Sequence, residues 1–240
     1  MPYWQQLPFW QQQLPFWQQQ LIGIAAVALW LVLLAIAASA VRRHWNGQRE
    51  WSRKLVHIGT GAVVPLAWLC SIDRRIAIPA AGLITLLAAL NHRMRVIPAI
   101  EDVGRHSYGT IAYGASITGL LLLYWPAQPA AVAAGVLVMA LGDGLAGLLG
   151  PLVPSASWSI WGQRKSVVGT GAMAGGSLAM LLLVRQLASA GGHPHPSLAG
   201  LLTITAIAVL LEQVAVAGFD NFSVPVVSGW LWHSLSSAGH

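Results

Sequence analysis

The chain has 240 residues, of which 56% are hydrophobic and 8% are charged. A soluble domain carries roughly 25% charged residues because water must solvate its surface, so this composition excludes the soluble class and predicts an integral membrane protein. The formal net charge of +6 does not indicate a nucleic-acid partner, because no basic module with interleaved aromatic residues lies between the apolar runs.

The first twenty residues form a low-complexity segment. The heptad LPFWQQQ occupies 7–13 and recurs at 14–20, after a partial copy at 1–6. A proline in every heptad opposes a long helix, while the recurring Phe and Trp suit a membrane interface. We therefore interpret 1–20 as a repeat expansion and 21–240 as the transmembrane domain.

Long apolar stretches predict an all-α, polytopic membrane helix bundle with about seven transmembrane helices and a short eighth near the C-terminus. The stretches run over 21–41, 55–72, 76–90, 109–125, 130–150, 167–184 and 198–217, with the shorter one at 223–235. A helix needs about 20 residues to cross a hydrocarbon core about 30 Å thick, so the third is expected to be short and only partly inserted. The first lacks a basic flank and a cleavage site, which indicates a retained helix.

The basic residues in alternate loops predict the orientation. Ten of them fall in one set of loops and three in the other, and the richer set is cytoplasmic by the positive-inside rule. The first set is Arg42, Arg43, Arg49, Arg53, Lys54, Arg93, Arg95, Arg105, Arg164 and Lys165, and the second is Arg74, Arg75 and Arg185. The N-terminus is therefore expected outside, with the polar clusters gathered at the cytoplasmic face.

Two basic clusters on this side suit a phosphate. On a helix, Arg53 and His57 share a face that Lys54 flanks. Arg105 can fork to a phosphate, with Ser107 as a hydroxyl donor. Each cluster also has a simpler interpretation: a positive-inside anchor with an interfacial histidine for the first, and a charged loop before a helix for the second.

The glycine-rich segment 142–150 and the dipeptide Lys165-Ser166 are the strongest candidates for a site. Asp143 ends an apolar run, where an unpaired carboxylate costs about 2.5–3.5 kcal/mol at the bilayer centre, so it needs a partner. Lys165 and Ser166 at a helix start supply a positive charge, a hydroxyl and free backbone N–H groups to a phosphate. Glycines alone favour close helix packing, whereas the acid and the lysine favour a ligand.

Oxygen ligands near the C-terminus suit Mg²⁺. Glu212 lies near the end of the seventh stretch, and Asp220 and Asn221 lie at the break before a short proline-containing helix. Together with Asp143 they supply the hard oxygen ligands that Mg²⁺ takes alongside substrate phosphates.

A zinc site is not predicted. The single cysteine, Cys70, excludes a disulfide framework and a cysteine-based metal site, because both need several thiols. His193 and His195, on the opposite side, are expected to be exposed loop residues.

Five segments occur in the order typical of one enzyme family, over roughly residues 50–228. They are Arg53-Lys54-x-x-His57, Arg105-x-Ser107-x-Gly109-Thr110, Gly142-Asp143-x-x-Ala146-x-x-x-Gly150, Lys165-Ser166-x-x-Gly169, and Glu212 followed by Asp220-Asn221-x-x-x-Pro225. Together they resemble the phytol kinase and dolichol kinase family of polyprenol kinases. On this resemblance, 21–240 is a transmembrane kinase-like domain.

The resemblance implies transfer of the γ-phosphoryl group of CTP, with Mg²⁺ as cofactor, to the hydroxyl of an isoprenoid alcohol such as phytol, in salvage toward tocopherol. It also implies a bacterial plasma membrane or a photosynthetic membrane. The chain departs from the family pattern at Val168, where glutamate is frequent, and at Pro154, near which glycine is common. The nucleotide-binding motif of the family matches Asp143, Ala146, Gly150, Lys165, Ser166 and Gly169.

Phosphoryl transfer depends mostly on positioning and charge neutralisation, and the candidate residues are assigned roles accordingly. Lys165 and the Gly169 backbone are expected to hold phosphates, and His57 or an acid to orient the alcohol. Asp143 and Asp220 are expected to engage Mg²⁺. The full expected set is catalytic Asp143, Lys165 and His57; nucleotide- or phosphate-binding Arg53, Lys54, Arg105, Gly142, Ala146, Gly150, Ser166 and Gly169; and metal-binding Asp143, Glu212, Asp220 and Asn221.

Two other functions stay open at this point. A CTP-dependent lipid cytidylyltransferase of the CDP-diacylglycerol synthase type would release pyrophosphate, although the C-terminal signature of that family is not found. A membrane transporter would place ionisable groups near the midplane across inverted repeats, whereas here they gather at one face. The residues do not distinguish phytol from other isoprenoid alcohols or CTP from other nucleotides, and they leave the oligomeric state open.

Overall fold

The computed structural model describes residues 14–44, 49–94 and 108–237. Within these ranges the helices are α1 (Phe16–His44), α2 (Arg49–Gly61), α3 (Val63–Leu69), α4 (Arg74–Met94), α5 (Gly109–Tyr124), α6 (Pro129–Leu137), α7 (Gly144–Leu152), α8 (Val167–Ala190), α9 (Leu198–Val214) and α10 (Asp220–Ser237). A π-helical segment, Val138–Asp143, joins α6 to α7. The antiparallel strands β1 (Ser157–Ile160) and β2 (Gln163–Ser166) form a hairpin before α8.

The predicted helical class is confirmed, and the hairpin is an element that the sequence reading missed. Four helical runs are long and apolar enough to cross a membrane: α1, α4, the continuous Pro129–Leu152 run and α8. The apolar helices α5 and α9 are shorter. The predicted number of about seven spans is therefore not confirmed.

Two predicted stretches differ from the helices that they form. The third, expected to be short, becomes the 21-residue α4 and is one of the four long apolar helices. The second is divided at Ala62 into α2 and α3. The break follows Gly61, which packs so tightly against Ala140 that a side chain at that position would overlap it.

Local sequence sets where several helices begin. Helix α1 starts directly after Pro15, and Pro129 occupies the first position of α6, where a missing N–H costs no helical hydrogen bond. Ser166 caps α8, its Oγ accepting a hydrogen bond from the Gly169 N–H at 3.1 Å. Ser197 caps α9 in the same way, with the Gly200 N–H at 3.2 Å.

Helix α6 forms the centre of the bundle. All nine of its residues are buried, and α5, α8 and α10 pack around it. The outermost helices, α1 and α4, expose leucine and isoleucine side chains such as Leu29, Ile36, Leu83 and Leu87. Such surfaces suit acyl chains rather than water, because lipid requires no polar groups from the faces that meet it.

The bundle has two ends with different chemistry. The charged end is defined by Lys54, Asp143, Lys165, Glu212 and Asp220, where α8 and α10 begin and α7 and α9 finish. The far end contains neutral hydrogen bonds: the Gln20 amide donates to the Ser71 carbonyl at 3.2 Å, and the Trp125 indole donates to the Ile72 carbonyl at 2.9 Å. The buried ion pairs therefore lie at one end of the bundle.

The two histidines of the loop before α9 are less exposed than expected. His193 and His195 are both partly buried. His193 lies edge-on to Trp68, with ring centroids 5.5 Å apart, and lines a small cavity at the far end with Gln128 and Trp232. The prediction that these two histidines are exposed is therefore wrong, because the loop packs against the far end of the bundle.

The crossing of α6 and α10 depends on Gly229. A Cβ there would lie 2.9 Å from the Ala131 carbonyl oxygen and 2.7 Å from Leu120 Cδ2, whereas a Cβ at Gly119 would meet nothing within 4 Å. We expect Gly229→Val to destabilise the protein by about 1–3 kcal/mol, the usual cost of overpacking. Gly119→Val, which makes the same change in open space, should leave the apparent melting temperature in detergent nearly unchanged; equal shifts for the two variants would contradict this packing.

Candidate functional site

An ion pair between α2 and the π-helical segment forms the first half of the site. The Lys54 ammonium lies 2.7 Å from an Asp143 carboxylate oxygen and also donates to the Asp143 carbonyl at 3.2 Å. His57 Nε2 lies 3.4 Å from the same carboxylate oxygen and 3.3 Å from the Met139 carbonyl. Because these side chains are nearly buried, the pair supplies the partner that the sequence reading required for Asp143.

Two of the three residues in the basic cluster of α2 reach the buried acid. Lys54 and His57, three residues apart, point inward together at Asp143. Arg53 instead points outward and pairs with Glu50 at 2.7 Å, with both side chains about half exposed. Residues three apart share a helix face as readily as residues four apart, and the buried acid selects the first arrangement.

The backbone around Asp143 makes room for the lysine. The helix widens to π geometry over Val138–Asp143, a departure that is often found at functional sites. Gly147, one turn later, lies against the Lys54 stem, and a side chain there would overlap Lys54 Cε. The glycine therefore lets a long cation pass between two helices to reach the acid.

A second ion pair joins the hairpin to α9. Lys165 lies on β2, forms an ion pair with a Glu212 carboxylate oxygen and donates to the Glu212 carbonyl at 2.7 Å. Both side chains are about nine-tenths buried. Ser166 follows as the cap of α8, which confirms the predicted position of the dipeptide at a helix start. Lys165, however, is fixed by a strand and not by the helix.

Asp220 lies between the two ion pairs without a lysine of its own. In the described part of the chain its carboxylate accepts hydrogen bonds from the Asn221 backbone at 3.0 Å and side chain at 3.2 Å, and forms no ion pair. Asp220 is the first residue of α10 and lies outside the four long apolar runs. It is partly buried, and the negative charge of Asp143 adds to the cost of its own charge. A carboxylate in these surroundings gains from a nearby cation.

The predicted metal ligands are brought to one end of the bundle but do not form a ready-made cage. No group of three or more His, Cys, Asp and Glu side chains in the described ranges is arranged to hold a metal ion. Asp143 and Glu212 are each paired with a lysine. The donor set nevertheless fits Mg²⁺, which takes one or two protein carboxylates and completes its shell with water and phosphate oxygens. Asp220, with its uncompensated charge, is the best placed of these carboxylates.

The predicted nucleotide-binding glycines lie in a helix–helix contact. A Cβ on Gly150 would lie 3.4 Å from Gly169 Cα, and one on Gly142 would lie 2.6 Å from Ser177 Oγ. Ala146 contributes its carbonyl to the same contact between α7 and α8. These residues thus provide the close packing that small side chains permit, while Gly169 also donates its N–H to Ser166. Their role in binding a nucleotide stays a prediction.

Arg105 and two positions that depart from the family pattern lie apart from the two ion pairs or outside the described residues. Arg105 lies outside the described residues. Val168, where the family often has glutamate, donates its backbone N–H to Ser155 Oγ at 3.3 Å. Pro154 is exposed just before the hairpin. Neither departure from the family pattern disturbs the two ion pairs.

The sequence reading missed residues that support the site. Tyr113 on α5 packs its ring against His57, with centroids 4.8 Å apart. Gln213 and Trp158 are hydrogen-bonded beside Glu212. The signals available in the sequence were weak: a single tyrosine early in an apolar stretch, and an amide next to an acid at a helix end.

The Lys54–Asp143 pair should dominate local stability. Lys54→Met leaves a buried carboxylate without its cation, and we expect a loss of about 3–5 kcal/mol, measured as a fall in the apparent melting temperature. Arg53→Gln removes only the exposed pair with Glu50 and should cost less than about 1 kcal/mol. Addition of Asp143→Asn to Lys54→Met should restore part of the loss; similar small effects for all three variants would contradict a buried pair.

Comparison with known proteins identifies the family of the chain. No protein-family model matches the chain, and no solved structure matches it. A phytol kinase from Synechocystis sp. is 37% identical to the chain over 209 residues, which cover 86% of this chain and 88% of that protein. The similarity extends over most of the chain and confirms the family resemblance. The chain belongs to the phytol kinase family.

Proposed function

We propose that the protein phosphorylates an isoprenoid alcohol, with phytol as the first candidate, using the γ-phosphoryl group of CTP. Family membership supports the kinase activity and the class of acceptor. The observation that carries the proposal is the convergence of both lysines of the chain, Lys54 and Lys165, with three carboxylates at one end of the bundle. A triphosphate needs such a concentration of cations and metal-binding oxygens.

The charged end offers what phosphoryl transfer requires. The alcohol oxygen forms a bond to the γ-phosphorus while the bond from that phosphorus to the bridging oxygen breaks, and CDP leaves with the electron pair. Lys165 and Lys54 offset the charge on the phosphates, because ammonium groups in buried surroundings act strongly on nearby anions. The hydroxyl proton passes to His57 or to a neighbouring carboxylate, a group that must lie within hydrogen-bond reach of the alcohol.

A divalent cation completes this proposal. Asp220 and Asn221, with Asp143 and Glu212 once their lysines turn to phosphate, are the residues that would hold Mg²⁺. The ion would supply additional positive charge to the β- and γ-phosphates.

The acceptor can approach from lipid along α5. The His57 ring packs against Tyr113 of this helix, and α5 lies against α4, whose outer face exposes Leu83 and Leu87. An isoprenoid chain is as apolar as these side chains, so it can remain in the bilayer while its hydroxyl reaches the charged end.

We further propose that the chain crosses the membrane eight times with the charged end in the cytoplasm. The support is that successive helices end alternately at the charged end and at the far end when α2 with α3, and α6 with α7, count as single crossings. Helix α5, at 16 residues, spans roughly 24 Å, which thinning of the bilayer can accommodate. The excess of Lys and Arg on the loops of the charged end supports the orientation.

The test of activity is transfer of label from γ-labelled CTP to phytol in membranes that contain the protein. We expect Lys165→Ala to lower the rate about 10²- to 10³-fold, the usual loss when a group that stabilises transition-state charge is removed. Arg164→Ala, a neighbouring exposed position on β2, should change the rate less than threefold. The yield of monodisperse protein shows that each variant inserts.

Other outcomes of the same assay would overturn the proposal. Label from α-labelled CTP in the lipid, with release of pyrophosphate, would identify a cytidylyltransferase. Absence of transfer to any isoprenoid alcohol from any nucleoside triphosphate would refute kinase activity. Full activity of Lys165→Ala would remove the phosphate-binding role from this lysine while leaving the kinase assignment intact.

The orientation has its own test, because Cys70 is the single cysteine of the chain. In a Cys70→Ser background, Trp161→Cys places a thiol on the exposed tip of the hairpin, and Pro194→Cys places one on the exposed loop at the far end. A membrane-impermeant maleimide added to intact cells should label the second and react with the first only after permeabilisation. The reverse pattern would place the charged end outside.

A further inference from the structure

We propose that Gln213 is a positioning residue that holds the Glu212 carboxylate and, through it, the ammonium of Lys165. The inference rests on the proposed function, in which Lys165 binds phosphate. Gln213 belongs to none of the motifs that identify the family in this chain.

The hydrogen bonds of Gln213 use the donors and the acceptor of its side-chain amide. Nε2 donates to Glu212 Oε2 at 2.9 Å and to Thr170 Oγ1 at 3.0 Å. Oε1 accepts from Trp158 Nε1 at 3.2 Å. An amide has two N–H donors, and both are in use, so the orientation of the group is fixed from three directions.

These contacts close a ring. Glu212 gives one carboxylate oxygen to Lys165 and the other to Gln213. Gln213 bonds to Trp158, and Trp158 is the residue directly opposite Lys165 in the hairpin. The ring therefore runs from Lys165 to the two side chains of α9 and on to Trp158, and the pairing of the two strands returns it to Lys165. Thr170 adds a link to the first turn of α8.

The ring defines the position of Lys165 more tightly than the ion pair alone. A carboxylate can rotate about its last bond, and a lysine has four rotatable bonds. Gln213 restricts rotation of the Glu212 carboxylate by holding Oε2. The hairpin restricts the lysine side chain by fixing the backbone from which it extends. Removal of the amide should therefore change Lys165 and leave Lys54, which is held by Asp143, unchanged.

Amine labelling measures this directly, because Lys54 and Lys165 are the two lysines of the chain. Protein in detergent is treated with an acetylating reagent, and the rate at each lysine is read by mass spectrometry. In Gln213→Met, which keeps the length of the side chain and removes its polar atoms, the rate at Lys165 should rise several-fold while that at Lys54 stays constant. Gln186→Met, the same change at an exposed position of α8, is the matched control and should alter neither.

A double-mutant cycle tests the ring independently. Trp158→Phe removes the indole N–H on the exposed hairpin without emptying a core. We expect a smaller rise in Lys165 labelling than with Gln213→Met, and no further rise when the two changes are combined, because both interrupt the same path. In the kinase assay, Gln213→Met should lower kcat/KM for the nucleotide about tenfold, as for a lost hydrogen bond, with KM for the alcohol unchanged.

The outcomes separate this inference from the proposed function. A parallel rise at both lysines in Gln213→Met, with Trp158→Phe unaltered, would show a merely structural amide and overturn the inference. Unchanged labelling at Lys165 in both variants, or additive effects in the double variant, would also overturn it. Selective exposure of Lys165 supports the ring even if the wild-type protein transfers no phosphoryl group, and in that case only the proposed function fails.

Discussion

The need to neutralise carboxylates inside an apolar bundle governs this structure. Asp143 and Glu212 lie in surroundings where an isolated charge is costly, and each forms an ion pair with one of the two lysines. These pairs connect α2 to the central helical run and the hairpin to α9, so the same contacts that remove the electrostatic penalty also join elements that are distant in sequence. Asp220, which is partly buried and forms no ion pair among the described residues, is the place where this compensation is incomplete.

The packing of small residues makes the ion pairs possible. Glycines on one side of α7 let it approach α8, as at Gly150 and Gly169, and Gly147 on another side lets the Lys54 stem pass. The glycine-rich motif that resembles a nucleotide-binding sequence therefore has a structural role: its small residues permit a short distance between the two helices. The site is assembled because the backbones come close enough for side chains from five elements, α2, the π-helical segment, β2, α9 and α10, to gather at one end.

Much of the chemistry was predictable from the sequence because charge is so rare in this chain. Asp143 interrupts an apolar run, Lys165 and Ser166 precede another, and Glu212 ends a third; each departure from lipid-compatible composition marks the charged end. The helical class followed for the same reason. The free-energy cost of placing a charged side chain in an apolar medium depends on the residue type. It can therefore be judged from the sequence without knowing which residues will pair with that side chain.

Partners and short elements were not predictable in this way. The partners of the basic residues on α2 could not be predicted, because both i+3 and i+4 spacings place residues on one helix face. Only the position of Asp143 shows that Lys54 and His57 meet the acid. The hairpin has strands of four residues with largely polar sequence, too short for a clear alternation. The bond from Trp158 to Gln213 spans 55 positions, and no local pattern encodes a contact of that kind.

The engagement of both lysines has a consequence for selectivity. In the proposed function, each ammonium group already donates to the carboxylate and the carbonyl of its acid, so an incoming phosphate competes with that carboxylate for the lysine. A carboxylate that loses its lysine then needs another counterion. Inorganic phosphate alone brings none, whereas a metal-complexed polyphosphate brings an anion and a cation together. The proposed site would therefore favour the second kind of ligand over simple anions without any steric barrier.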